Sequence, residues 1–129
     1  MKFGKLLEVA AESAEKAYSP YSEYKVGAAL LCADGAVFTG CNVENSSYGM
    51  TICAERTAVF SAVADGRRDF VALAVVAIGE QMPYPCGACR QVLSEFCPGE
   101  FSVTIAKADA LADYEVIPLA ELLPRGFHL

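Results

Sequence analysis

The chain has 129 residues, 54% of them hydrophobic and 20% charged, which excludes global disorder and suits one domain with a buried core. Its 10 Lys and Arg against 16 Asp and Glu leave a formal charge of −6, a poor match for a polyanion, so no nucleic-acid partner is expected. No apolar run approaches the ~18 residues of a membrane span, and Glu8, Glu12 and Glu15 follow the first lysines too soon for a signal-peptide core; the expectation is a soluble cytoplasmic protein with no membrane partner.

Residues 3–18 place Phe3, Leu6, Leu7, Ala10, Ala14, Ala17 and Tyr18 on one helical stripe and predict a helix that stops before Pro20. Tyr18-Ser19-Pro20-Tyr21-Ser22 reads as a loop. Residues 25–32 and 37–42 read as strands, and the Asp34-Gly35 hairpin signal between them makes that pair antiparallel. Residues 43–52 are a polar loop with functional potential. A helix follows from about Cys53 to Ala64 and ends at Asp65-Gly66. Phe70 to Ile78 is almost continuously apolar, the pattern of a central strand covered on both faces. After a loop with two prolines, residues 86–96 look helical, with Cys97-Pro98-Gly99 as the stop. Phe101 to Lys107 and Tyr114 to Ile117 are the last strands. The segment joining them is too short for a parallel crossover, so they should pair antiparallel, with a short helix over 119–123 after them. The expected architecture is α/β: a single domain over residues 1–129, three layers α-β-α, around a mixed sheet of about five strands.

The chain carries six cysteines. An even count could form three disulfides, but nothing else suggests secretion and the aliphatic content needs no covalent staples, so reduced thiols are expected. Cys53-Ala54-Glu55 and Pro85-Cys86-Gly87-Ala88-Cys89 each stand where a loop enters a predicted helix. The unpaired amides and dipole of such a terminus favour a thiolate. Two termini converging could present Cys53, Cys86 and Cys89 to one zinc and leave the fourth position open, the hallmark of a catalytic site. Glu55, on the first turn, could then reach a water on the metal without ligating it and act as base and then acid. Arg56 beside it is the cation that offsets the excess negative charge of three sulfurs. Two blander readings compete. Cys86-x-x-Cys89 alone could be redox-active, which leaves Cys53 and Glu55 unused. A structural zinc would need a fourth ligand, and His128 near the C-terminus and Cys97 beyond the first helical turn are poor candidates. Cys32, Cys41 and Cys97 read as core or interface residues.

Taken together, Tyr21-Ser22-Glu23-Tyr24-Lys25-Val26-Gly27, Gly40-Cys41-Asn42-Val43-Glu44-Asn45, Cys53-Ala54-Glu55-Arg56 and Pro85-Cys86-Gly87-Ala88-Cys89-Arg90-Gln91 resemble the small homotetrameric zinc-dependent cytidine deaminases over nearly the whole chain. The zinc-deaminase signature carries this match, with its glutamate that is not a zinc ligand and its Pro-Cys-x-x-Cys pair. The resemblance implies one zinc per chain on Cys53, Cys86 and Cys89, with Glu55 as proton shuttle. It further implies ribose contacts from Asn42 and Glu44, a pyrimidine contact from the Ala54 backbone, and stacking by Tyr24, where relatives usually have Phe. Tyr48 and Phe127 would reach a neighbouring subunit's site in a homotetramer. The implied reaction is hydrolytic deamination of cytidine and deoxycytidine to uridine and deoxyuridine with release of ammonia, in pyrimidine salvage. The rivals are the same chemistry on another pyrimidine, such as an aminonucleoside antibiotic, and a zinc module that serves assembly only.

Overall fold

In the computed structural model, which describes residues 3–129, the chain runs α1 (Phe3–Ala14), β1 (Lys25–Cys32), β2 (Val37–Cys41), a 3-10 turn (Tyr48–Met50), α2 (Ala54–Ala64), β3 (Phe70–Ile78), α3 (Gly87–Phe96), β4 (Ser102–Lys107), β5 (Glu115–Pro118) and α4 (Leu119–Leu122). The Asp34-Gly35 turn works as its residue types predict: Gly35 takes a φ of 92° and the Asp34 carboxylate accepts from the Ala36 amide at 3.1 Å. This turns β1 back into β2. The sheet order is β2-β1-β3-β4-β5, with only β3 and β4 parallel. The final pair is antiparallel, as the short connection requires, and β5 lies one residue later than predicted.

Both faces of the sheet are covered, which explains the unbroken apolar run of β3. Ala72, Ala74 and Val76 face Leu6, Leu7 and Ala10 of α1. Leu73, Val75 and Ala77 point the other way, into the core formed with Ala58, Val59 and Ala62 of α2, Leu93 of α3 and Leu122 of α4. Successive strand residues thus serve two different cores. A described helix long and apolar enough to cross a membrane is absent.

Two glycines set how closely the helices lie. A Cβ on Gly27 would stand 2.1 Å from the Ala10 carbonyl oxygen of α1, and one on Gly40 would stand 2.4 Å from the Ala54 oxygen of α2. The missing side chain at Gly40 therefore lets the first turn of α2 rest directly on β2. Gly40→Ala is expected to destabilise the fold by at least ~3 kcal/mol, because backbone rather than a flexible side chain must move. A urea unfolding midpoint equal to that of the parent protein would contradict this.

The first helix is shorter than its apolar period suggests. It stops at Ala14 rather than running to residue 18. The Tyr18 amide donates to the Asn42 carbonyl at 3.0 Å, and the Glu44 amide donates to the Tyr18 carbonyl at 2.8 Å. This pairing with the segment after β2 takes the backbone groups that a helix would have used. Phe3 and Tyr18, at the ends of the predicted stripe, are exposed.

Candidate active site

The N-termini of α2 and α3 meet at one end of the structure. Cys53 and Cys86 are their N-cap residues, both in extended backbone conformation (φ −80°, ψ 157° and φ −70°, ψ 167°). Helix α3 starts at Gly87, so Cys86 precedes the first turn that the sequence assigned it to. Neither thiol caps its own helix. Each is left to point outward, towards the other.

The Cys53 and Cys86 sulfurs lie 3.6 Å apart, Cys86 and Cys89 lie 3.5 Å apart, and all three sulfurs fall within 4.8 Å of one another. The six cysteines are free thiols. A tetrahedral ion with sulfur at about 2.3 Å spaces its ligand sulfurs at about 3.8 Å. The observed edges therefore suit zinc and are far longer than a disulfide bond of about 2.05 Å. Among the described residues this is the one group of three His, Cys, Asp or Glu side chains with metal-ligand spacing, and it has three donors rather than four.

Electrostatics in the cluster favour a cation. Hydrogen bonds from Cys89, and then from Arg56 and Cys86, hold the Cys53 thiol well below the usual thiol range despite burial. The same contact raises Cys89, whose proton is held against Cys53 and by burial. Arg56 donates Nη2 to Cys53 Sγ at 3.5 Å, and its Nε is buried without a protein partner. One guanidinium cannot balance three thiolates; a divalent cation together with Arg56 can.

Glu55 sits on the first turn of α2 and is only 5% exposed. Burial pushes its carboxyl up to about 7, with the Cys53 charge adding to the rise and its own backbone amide and Arg56 opposing it. A cation among the sulfurs would favour the carboxylate and offset that burial cost. The arrangement is a buried carboxyl of raised proton affinity beside a three-sulfur cradle.

A second group lies along the segment that follows β2. Asn42 binds β1 through both ends of its amide, Oδ1 accepting from the Val26 amide at 2.9 Å and Nδ2 donating to the Tyr24 carbonyl at 2.8 Å. Glu44 accepts from the Tyr21 and Ser22 amides at 2.9 and 3.1 Å, and from the Ser22 hydroxyl. These bonds, the Ser22 hydroxyl's first, hold its carboxyl below the usual range. Both side chains are therefore fixed in place, unlike a freely solvated strand end. A cavity of about 280 Å³ opens between Tyr21, Ser22, Glu44, Tyr48 and Thr51, with Tyr48 edge-on to Tyr21 at 6.1 Å between ring centres. Ala54 is fully buried at the start of α2. Tyr24 bridges the two groups: burial raises its phenol, and the Glu55 charge adds to that rise. Phe127 is 68% exposed and its carbonyl accepts from Gln91 Nε2 at 3.0 Å, so it does not join either group within the chain. Cys32 and Cys97 are buried away from the cluster, and desolvation pushes Cys97 up to about 12.

The sequence places Arg90 directly after the Pro-Cys-x-x-Cys segment but marks no structural role for it. Its Nε donates to the Pro85 carbonyl at 2.6 Å and its Nη1 to the Leu122 carbonyl at 2.7 Å, which pins the residue before Cys86 to the end of α4. Its position four residues after an N-cap cysteine was visible, but its partner in α4 lies far along the chain.

Residues 2–105 match the family model described as cytidine and deoxycytidylate deaminase zinc-binding region. A cytidine deaminase of Sporosarcina psychrophila is 52% identical over 127 residues, covering 98% of this chain and 92% of that protein. A cytidine deaminase of Halalkalibacterium halodurans is 51% identical over 122 residues, covering 95% of this chain and 91% of that protein. The crystal structure of cytidine deaminase from Burkholderia pseudomallei superposes with a TM-score of 0.92 at 49% identity, covering 98% of this chain and 100% of that one.

Proposed function

The chain belongs to the cytidine and deoxycytidylate deaminase zinc-binding family, and from that premise we propose that it hydrolyses the C4 amino group of cytidine and deoxycytidine, releasing ammonia and uridine or deoxyuridine. The observation that carries the reading is the buried Glu55 on the turn next to three sulfurs spaced for zinc. Cys53, Cys86 and Cys89 would hold the metal. When bound, zinc makes a water acidic enough to serve as nucleophile near neutral pH.

The remaining work falls to the chain. Glu55 takes a proton from the attacking water and delivers it to N3 of the ring. It then passes the second water proton to the amine that leaves C4, so that one water is consumed for each ammonia released. Burial keeps those protons from exchanging with bulk solvent. Arg56 holds the Cys53 sulfur in place and offsets its charge. Asn42 and Glu44, already fixed by backbone bonds, offer their remaining acceptor and donor capacity to sugar hydroxyls, and the Tyr24 ring stacks on the base. The cavity beside Glu44 is lined by a carboxylate and hydroxyl groups, with no Lys or Arg in its wall. That chemistry suits a nucleoside over its 5′-phosphate. The reaction would place the enzyme in cytoplasmic pyrimidine salvage.

Mixing zinc-loaded protein with cytidine is expected to give the absorbance loss of cytosine-to-uracil conversion with one ammonia per cytidine lost. Deoxycytidine should behave alike, and cytidine 5′-phosphate should be turned over far more slowly. No absorbance change with cytidine would refute the reading.

A homotetramer is part of the same proposal. Its support is the exposed apolar surface: Tyr48 is 77% exposed, Met50 69% and Phe127 68%, with Phe60 on the outer face of α2 also open. Tyr48 and Phe127 would complete a neighbour's site. Sedimentation at micromolar concentration is expected to give the mass of four chains, and Phe127→Ala should reduce activity at least ~10-fold. A fully active monomer would contradict it.

A further inference from the structure

Three side-chain hydrogen bonds hold the loop that leads from β3 to Cys86. Arg90 takes the Pro85 carbonyl, the Tyr84 hydroxyl reaches Glu115 on exposed surface, and the Tyr24 hydroxyl donates to the Gln81 carbonyl at 2.8 Å. Only the last comes from the side of the cleft that carries Asn42 and Glu44. The Tyr24 backbone belongs to that side: its carbonyl accepts from Asn42 Nδ2 at 2.8 Å, and its amide donates to the Ser22 hydroxyl at 3.1 Å, which in turn bonds Glu44. One residue thus joins both walls.

The backbone is arranged to aim it there. Glu23 takes a left-handed φ of 58°, uncommon for a residue with a side chain, and its amide closes a turn onto the Ser19 carbonyl at 2.9 Å. Across the cleft, Gly79 takes a φ of 149°, and a Cβ there would lie 3.4 Å from the Tyr24 ring, so the ring packs against bare backbone. Stacking on a base needs only the ring. The hydroxyl is surplus to that task and is spent entirely on Gln81.

Resting on the deaminase reading, we propose that the Tyr24 hydroxyl is a positioning group that latches the Gly79–Pro85 loop to the Asn42–Glu44 network, so that the sugar-side and metal-side walls are set before substrate arrives. Without the latch, the order lost in the free enzyme must be restored on binding, equally in the ground state and the transition state. Such a loss appears in KM and leaves kcat alone.

The test is Tyr24→Phe in the zinc-loaded enzyme, which keeps the ring. The KM for cytidine should rise about three- to tenfold, the worth of one hydrogen bond, with kcat held within about twofold. Amide exchange at Glu80, Gln81 and Met82 should accelerate in the free enzyme. A merely structural role would lower thermal stability without this split. An unchanged KM, a fall in kcat at constant KM, or unchanged exchange in the loop would overturn the proposal. If the parent protein left cytidine untouched while exchange still accelerated in Tyr24→Phe, the deaminase reading would fall and the latch itself would stand.

Discussion

Glu55→Gln is expected to lower kcat for cytidine by more than ~10⁴-fold while zinc content and fold are retained. A single acid–base group usually contributes about 10²–10⁴. Glu55 has to exceed this range because the proposed reaction sends two separate transfers through the same carboxyl, to the ring nitrogen and to the leaving amine. A loss of 10⁴ corresponds to about 5.4 kcal/mol of transition-state stabilisation. Retention of zinc follows from geometry, since the three sulfurs, and not the carboxyl, make the cradle. Retention of fold follows from burial: a neutral amide of the same shape costs less to hold in the protein interior than a carboxylate. Near-parental turnover would remove Glu55 from the chemistry. Loss of zinc together with activity would instead make it a ligand or a support for one.

Cys86→Ala should abolish zinc retention and bring deamination to background. No other described side chain can stand in for the lost sulfur, because Cys32, Cys41 and Cys97 lie outside the cluster and His128 is exposed near the C-terminus. The same change should uncouple stability from metal. A ligand that binds only the folded state at a hundredfold excess over its Kd stabilises it by about 2.7 kcal/mol. A chelator is therefore expected to lower the Tm of the parent protein by several degrees and leave that of Cys86→Ala unmoved. A Cys86→Ala protein that still carried one zinc per chain and still responded to chelator would show the metal to be held elsewhere.

Local chemistry made much of this structure readable in advance. The Asp34-Gly35 turn, the two-sided apolarity of Phe70–Ile78 and the short link before β5 each admit few alternatives. The cysteines were legible for a similar reason: a thiol at a loop-to-helix junction has a defined direction and an electrostatic environment, and two such junctions with a glutamate beside one of them make an unusual set. What stayed hidden depends on partners distant in sequence. The apolar period overruns the end of α1 because Tyr18 continues it, whereas the Tyr18 amide and carbonyl are claimed by Asn42 and Glu44. Arg90 looks like an ordinary helix residue until Leu122 is folded against it. The Tyr24 hydroxyl finds its acceptor 57 positions away, on a main-chain carbonyl that no residue type announces. Asn42 and Glu44, in isolation, read as a polar strand end. Their fixed geometry comes from backbone amides of the Tyr21–Val26 segment.

X-ray absorption at the zinc edge of the purified protein tests the central claim most directly. One zinc per chain with three sulfur neighbours at about 2.3 Å and a single light atom completing a four-coordinate shell is the predicted result. Four sulfurs, a shell closed by a protein side chain, or protein that binds no zinc would contradict the account.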